Sequence, residues 1–187
     1  MDLLDPVLVW IARLTMVLLF AAAGLSKLRR PAAFRAAVAA YDLLPGWAVA
    51  PTAALLAAAE VLGAMLLLWP AGRPAGAVLL GVMLLLFSAA IAVNIARGRT
   101  DIDCGCWLFG AEPAEGQGRL GAATLARNGG LAAVLLVASL PAAARLLGVL
   151  DWLTIATGTL AAVGLFAMAM QLAVTGRQLA GLRAGGS

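Results

Sequence analysis

Ala75–Ile95 reads AGAVLLGVMLLLFSAAIAVNI, and these 21 residues contain no charged side chain. An α-helix needs about 20 predominantly apolar residues to cross the hydrocarbon core of a bilayer. The basic segment Arg97-Gly98-Arg99 follows almost directly. The stretch therefore predicts a transmembrane helix that stops where the charges begin.

The whole composition agrees with this interpretation. Hydrophobic residues make up 64% of the 187-residue chain and charged residues 12%, with a mean hydropathy of +1.01. A soluble domain has about half its residues apolar and about a quarter charged. The chain is therefore predicted to be an all-α, polytopic membrane helical bundle that forms one domain over residues 1–187.

Four more apolar runs of spanning length accompany the first. With five spans in a compact chain, we expect a four-helix core and one additional helix. The predicted spans are 6–26, 48–69, 75–95, 128–144 and 152–174.

Two connections are longer than a turn. Residues 32–43 predict a short helix in the membrane interface, because Phe34, Val38 and Tyr41 recur at i, i+4 and i+7. Residues 98–119 form a loop rich in glycine and charge that contains both cysteines of the chain. Long loops of this kind are often functional.

Basic residues are distributed unevenly between the two sides of the predicted bundle. Ten fall on the side that receives the cysteine loop and two, Arg73 and Arg145, on the other. Such an excess marks the cytoplasmic side. It predicts a bacterial inner (plasma) membrane protein with its N-terminus outside, and with its C-terminus and cysteine loop inside. No basic run with interleaved aromatic residues is present, which argues against nucleic-acid binding.

The motif with reactive chemistry is Asp103-Cys104-Gly105-Cys106. Two cysteines one residue apart can form a disulfide only if the backbone between them bends, and Gly105 permits that bend. Strained disulfides are easily reduced, and such labile bonds tend to be catalytic or regulatory. Cys104 and Cys106 are therefore the candidate catalytic residues.

Neighbouring charges would influence these thiols in opposite directions. Lys27, Arg97 and Arg99 would favour a thiolate, whereas Asp101 and Asp103 would oppose it. The sequence leaves the balance open.

Two other interpretations of the cysteines stay open. They could be inert buried side chains, or they could bind a soft metal ion with two ligands. A zinc site normally has four Cys or His ligands, and the chain has two cysteines and no histidine. Metal binding is therefore an alternative and not the leading interpretation.

Three of the polar residues inside predicted spans are singled out: Arg13, Glu60 and Asn94. Ionisable residues at such depth usually face the bundle interior in pairs. Counted from the outer ends of their spans, Arg13 and Glu60 lie at similar depths of roughly 10 Å and 13 Å, which predicts that they pair. Asn94, near the end of the third span, is expected to bond a neighbouring helix or anchor the loop.

Several segments resemble the MauE branch of the MauE/DoxX membrane proteins. The resemblance covers roughly residues 10–140 and is most specific at Asp103-Cys104-Gly105-Cys106. Members commonly continue directly with Phe-Gly, whereas this chain has Trp107-Leu108-Phe109-Gly110. The other matching segments are Gly24-Leu25-Ser26-Lys27-Leu28, Tyr41-Asp42-Leu43-Leu44-Pro45, Glu60, Arg97-Gly98-Arg99 and Arg127-Asn128.

The resemblance implies a redox-associated role with a thioredoxin-like partner in maturing disulfide-rich periplasmic proteins. The leading hypothesis is a thiol-disulfide oxidoreductase or electron relay. The clients would be periplasmic, whereas the charge count places the cysteine loop in the cytoplasm, and a relay would pass electrons between the two sides. A quinone would be able to regenerate the disulfide, although no recognisable quinone motif is present. The alternatives are a non-catalytic subunit that assembles or anchors another membrane protein, and soft-metal binding or transport.

Overall fold

The computed structural model describes residues 4–100, 102, 120–143 and 145–184, with side chains as far as residue 172. Within these residues the secondary structure is helical, apart from one isolated bridge between Leu4 and Ala142. This confirms the all-α prediction. The helices are α1 (Pro6–Arg29), α2 (Pro31–Ala40), α3 (Gly46–Leu68), α4 (Arg73–Ala96), α5 (Ala122–Ser139) and α6 (Val149–Ala184).

In the described part of the chain, five helices are long and apolar enough to cross a membrane. They are α1, α3, α4, α5 and the Val149–Leu172 part of α6, each with 18 to 24 residues and a mean hydropathy between 1.3 and 2.6. The polytopic membrane bundle predicted from the sequence is therefore confirmed. α2, with ten residues, is too short to span.

α5 differs from its predicted bounds of 128–144 at both ends. It begins six residues earlier, at Ala122, and therefore includes Arg127, which the charge count had placed in a loop. It ends at Ser139 because Pro141 forces the preceding residue, Leu140, into an extended conformation with ψ of 150°.

The spans form a closed ring of four helices. α1 packs against α3 and α5, and α4 packs against both α3 and α5, while α6 packs on the outside of α1. Half of the most apolar window of α1 is buried, compared with 11% for α6. This is the four-helix core with one additional helix that the sequence predicted, and α1 is its central helix.

Side chains divide the ring into two halves. Towards the end where α3 ends and α4 begins, the interior is apolar and includes Met16, Phe20, Leu67 and Leu80. Towards the other end, the buried residues include Lys27, Glu60, Asn94 and Asn128. We call the first the Asp5 end and the second the Lys27 end.

α2 closes part of the Lys27 end. Phe34 is 4% exposed and packs against Ala53 and Ala57 of α3. Tyr41, just beyond α2, packs on the cluster that contains Ile91. The aromatic face of α2 therefore packs largely on protein.

A charged clasp holds the Asp5 end. Arg145, in the α5–α6 connection, bonds Asp151 at 2.8 and 2.9 Å and Asp5 at 3.2 and 3.3 Å. These hydrogen bonds, chiefly that with Asp151, raise the pKa of Arg145. Its charge therefore persists at every physiological pH, and the clasp ties the start of α1 to the start of α6.

Candidate functional site

The cysteine segment leaves and re-enters the bundle at the Lys27 end. Cys104, Cys106, Asp103 and Gly105 lie outside the described residues. The residues that flank the segment are fixed, because Leu120 N–H donates to the Thr100 carbonyl at 2.7 Å. Ile102 and Leu120 are 8% and 3% exposed and pack on Ile91 of α4.

A buried ion pair lies in this half of the bundle. The Lys27 ammonium donates to Oε1 of Glu60, and each side chain is 2% exposed. Side chains on a helix lean towards its N-terminus. Lys27, in the last turn of α1, therefore extends back into the bundle and reaches the middle of α3.

Two aromatic rings complete the surroundings of the Lys27 ammonium. Its Nζ lies 5.0 Å from the ring centroid of Phe34 and 5.1 Å from that of Phe87. Ring faces attract cations within about 6 Å. Helices α1, α2, α3 and α4 thus all contribute to one site around a single positive charge.

The predicted pairing of Arg13 with Glu60 is wrong. Arg13 donates from Nε and Nη2 to the carbonyl of Ala138 on α5, at 3.3 and 3.1 Å. The depth estimate assumed that the start of α1 and the end of the antiparallel α3 lie at the same level. Glu60 instead lies beside Gly24, eleven residues and about 16 Å along α1 from Arg13.

Gly24 lets α1 and α3 approach closely enough for Lys27 to pair with Glu60. A Cβ atom there would lie 2.8 Å from Val61 Cγ2, 3.0 Å from the Ala57 carbonyl oxygen and 3.1 Å from Glu60 Cβ. Ala53, Ala57 and Ala64 lie on the same side of α3 as Glu60, and all three are buried. Small residues at membrane helix interfaces permit such contacts.

Arg97 and Arg99 connect the end of α4 to the α2–α3 turn. Arg99 Nη1 lies 2.8 Å from Oδ2 of Asp42, and Arg97 Nη1 donates to the Asp42 carbonyl at 3.3 Å. Asp42 adopts a left-handed conformation with φ of 52°, which short polar residues tolerate best. The entry to the cysteine segment is therefore fixed to the turn before α3.

Asn94 is fully buried at the same end. Its Nδ2 donates to Ala90 one turn earlier, at 3.1 Å, and its backbone carbonyl accepts from Arg99 N–H at 2.9 Å. No group in the described part of the chain hydrogen-bonds its Oδ1. Asn94 thus holds the loop entry through its backbone.

One polar contact was not predicted. Asn128 of α5 donates to Ser88 Oγ of α4 at 3.1 Å and accepts from Arg127 at 3.2 Å. The signal in the sequence was Asn128 itself, an amide at the start of an otherwise apolar run. The contact joins the two helices on either side of the cysteine segment.

The two buried asparagines should respond differently to the same change. We expect Asn128→Ala to lower the free energy of unfolding by about 1–3 kcal/mol, because it removes two hydrogen bonds, one to the half-buried Ser88 hydroxyl and one from Arg127. Asn94→Ala should lower it by less, since that change also removes an unsatisfied oxygen. Unfolding in mixed micelles measures both, and equal losses would contradict the assignment of partners.

A family model described as methylamine utilisation protein MauE matches residues 5–141. The chain belongs to the MauE family. The match includes the whole ring of α1 to α5 and the cysteine segment between α4 and α5, whereas α6 lies beyond it. This protein is thus a multi-pass membrane protein whose MauE-like part is the four-helix ring.

Individual relatives agree with the MauE assignment. The methylamine utilization protein MauE of Paracoccus versutus is 42% identical over 173 residues, which cover 92% of this chain and 89% of the relative. That of Methylorubrum extorquens is 41% identical over 130 residues, 70% of this chain and 67% of the relative. The Methylophilus methylotrophus protein of that name is 46% identical over 102 residues, about half (54%) of each chain. No solved structure matches the chain.

Metal coordination finds no support in the described residues of this MauE-family chain. Among them, no three Cys, Asp or Glu side chains come together as ligands. The acidic residues of the described helices and turns instead face basic ones, as in Lys27–Glu60 and Arg99–Asp42. The Lys27 end therefore holds several compensated charges in the same half of the bundle as the residues that flank the cysteine segment.

Proposed function

We propose that this protein is a membrane thiol-disulfide oxidoreductase or electron relay whose reactive atoms are the sulfurs of Cys104 and Cys106. The observation that carries the proposal is the Cys-Gly-Cys motif in a MauE-family chain, on a segment whose flanking residues Ile102 and Leu120 are buried against α4. The partner is a thioredoxin-like protein, and the outcome is disulfide formation or maturation in extracytoplasmic proteins.

The exchange balances without any further reactant. One cysteine attacks a sulfur of the partner's disulfide as a thiolate, and the partner's other sulfur leaves as a thiolate. The second cysteine then attacks the mixed disulfide. The partner gains two electrons and two protons, and Cys104 and Cys106 become a disulfide; the reverse direction uses the same steps.

Chain connectivity supports a reaction at the Lys27 end. Cys104 follows the buried Ile102 by two residues, and two residues span at most about 7 Å. Leu120, on the return side, is hydrogen-bonded back to Thr100. A partner would therefore meet the thiols close to the end of α4.

Arg97 is the described cation best suited to favour a thiolate. The Lys27 ammonium faces the Glu60 carboxylate, and the Arg99 guanidinium faces that of Asp42. Arg97 donates to a neutral backbone carbonyl instead, so its full charge remains effective. Positive charge near a thiol lowers its pKa and raises its reactivity at neutral pH.

The location follows from the charge distribution. We propose the bacterial inner membrane, with the cysteine segment at the cytoplasmic side and the N-terminus outside. A relay then passes electrons between a cytoplasmic donor and an external thioredoxin-like protein. The relatives are named for methylamine utilization, but the proposal concerns the class of chemistry and names no client.

Trapping tests the exchange directly. We expect Cys104→Ser and Cys106→Ser to accumulate mixed disulfides with a partner, because each variant keeps one thiol that can attack the partner and lacks the second thiol that would release it. Non-reducing electrophoresis of membranes quenched with acid and alkylated detects the adducts, and the double variant is the control. If neither single variant forms an adduct under oxidising or reducing conditions, and the double variant complements fully, the protein is a non-catalytic assembly subunit instead.

A further inference from the structure

Two arginines at the Asp5 end have no anionic partner in the described residues. Arg13 of α1 is 3% exposed, and Arg73 is the first residue of α4. Their charges are close enough to repel each other. We infer that Arg73 and Arg13 together bind a phosphate-bearing anion, the headgroup of an anionic phospholipid.

The charges of the described carboxylates are already compensated elsewhere. Asp5 and Asp151 pair with Arg145, Asp42 with Arg99, and Glu60 with Lys27. Cations buried within a bundle are normally paired, because removing them from water is unfavourable. Two neighbouring cations without a counterion among the described residues therefore favour an anion bound as a ligand.

The guanidinium groups have donors to spare. Arg73 Nε is buried and makes no hydrogen bond within the described residues. Arg13 uses Nε and Nη2 on the Ala138 carbonyl and rests on Trp10, with Cζ 4.9 Å from the ring centroid. Its Nη1 remains for a ligand, and a phosphate with several acceptor oxygens suits two such groups.

The level of the site in the bundle favours a lipid over a free ion. Trp69 is 63% exposed four residues before Arg73, and Trp152 is 50% exposed and packs on Trp10 with centroids 6.1 Å apart. Tryptophans of this kind mark the headgroup level of a bilayer. Arg73 is thus at the height of lipid phosphates, as is Trp10, on whose ring the Arg13 guanidinium rests.

Native mass spectrometry of the full chain in a neutral detergent tests the site. We expect dioleoyl phosphatidylglycerol to be retained about tenfold better than dioleoyl phosphatidylcholine, because one charged hydrogen bond accounts for that ratio. Arg73→Gln should abolish the preference, and Arg73→Lys should restore part of it as a point charge. Arg35→Gln, which removes an exposed guanidinium from the Lys27 end, should leave it unchanged.

The remaining outcomes separate the sources of phosphate and the rival explanations. If inorganic phosphate at millimolar concentration displaces the lipid, the same two arginines bind free phosphate as well. Equal retention of both lipids, or an equal loss in Arg73→Gln and Arg35→Gln, would show general attraction of lipids to cations and would overturn the site.

Discussion

Lys27→Met and Glu60→Gln are each expected to lower the free energy of unfolding by about 3–5 kcal/mol, the loss typical when one partner of a buried ion pair is removed. Each side chain is 2% exposed, so water cannot replace the missing partner. In the Glu60→Gln variant the ammonium would keep a neutral amide oxygen and the faces of Phe34 and Phe87, but it would lose the opposite charge. These changes should be among the most destabilising in the bundle.

Unfolding in mixed micelles measures the loss, and Asp42→Asn is the matched control. That change breaks an ion pair whose side chains are 43% and 73% exposed, so it should lower the free energy of unfolding by at most about 1 kcal/mol. Lys27 is also the one lysine of the chain. Its side-chain amine should resist acylation in the wild type and become reactive in Glu60→Gln.

A double variant separates the contribution of the ion pair to stability from the penalty of leaving one buried charge without its partner. Lys27→Met with Glu60→Leu replaces both charges by apolar groups, and such replacements are often neutral or stabilising. We expect the double variant to be more stable than either single variant. If a single variant loses no more stability than Asp42→Asn, the ion pair does not hold α1 against α3.

Gly76→Ala is expected to lower the free energy of unfolding by about 1–3 kcal/mol, the usual effect of an added methyl group in a filled interior. A Cβ at this position of α4 would lie 2.8 Å from the Leu67 backbone nitrogen, 2.9 Å from the Gly63 carbonyl oxygen and 2.9 Å from Leu66 Cβ. Two of these atoms belong to the backbone of α3, which cannot rotate away. The helices would have to separate.

The same substitution at Gly130 should act in the opposite direction. Gly130 is exposed on α5, and an added Cβ would meet no atom within 4 Å. Replacing glycine by alanine in a helix interior then stabilises by roughly 0.5–1 kcal/mol. Thermal unfolding in one detergent compares the two variants, and a similar change in both would contradict the close contact between α3 and α4.

Gly24 and Gly76 explain why the Arg13–Glu60 prediction failed. Depth along a helix can be counted from the sequence, but a pairing also depends on how far one helix is shifted along its neighbour. That shift is set by contacts such as Gly24 against Ala57 and Gly76 against Gly63. Lys27, which the sequence placed among the loop charges, is shifted into contact with Glu60 by these packings.

Local composition alone determined that this chain spans a membrane five times and that one segment carries both thiols, because hydrophobicity and length act within each segment independently of its neighbours. The tertiary structure alone decided which charge meets which, because partners such as Lys27 and Glu60 are 33 residues apart in the chain. Their meeting depends on the relative height of packed helices, a property that no single segment encodes.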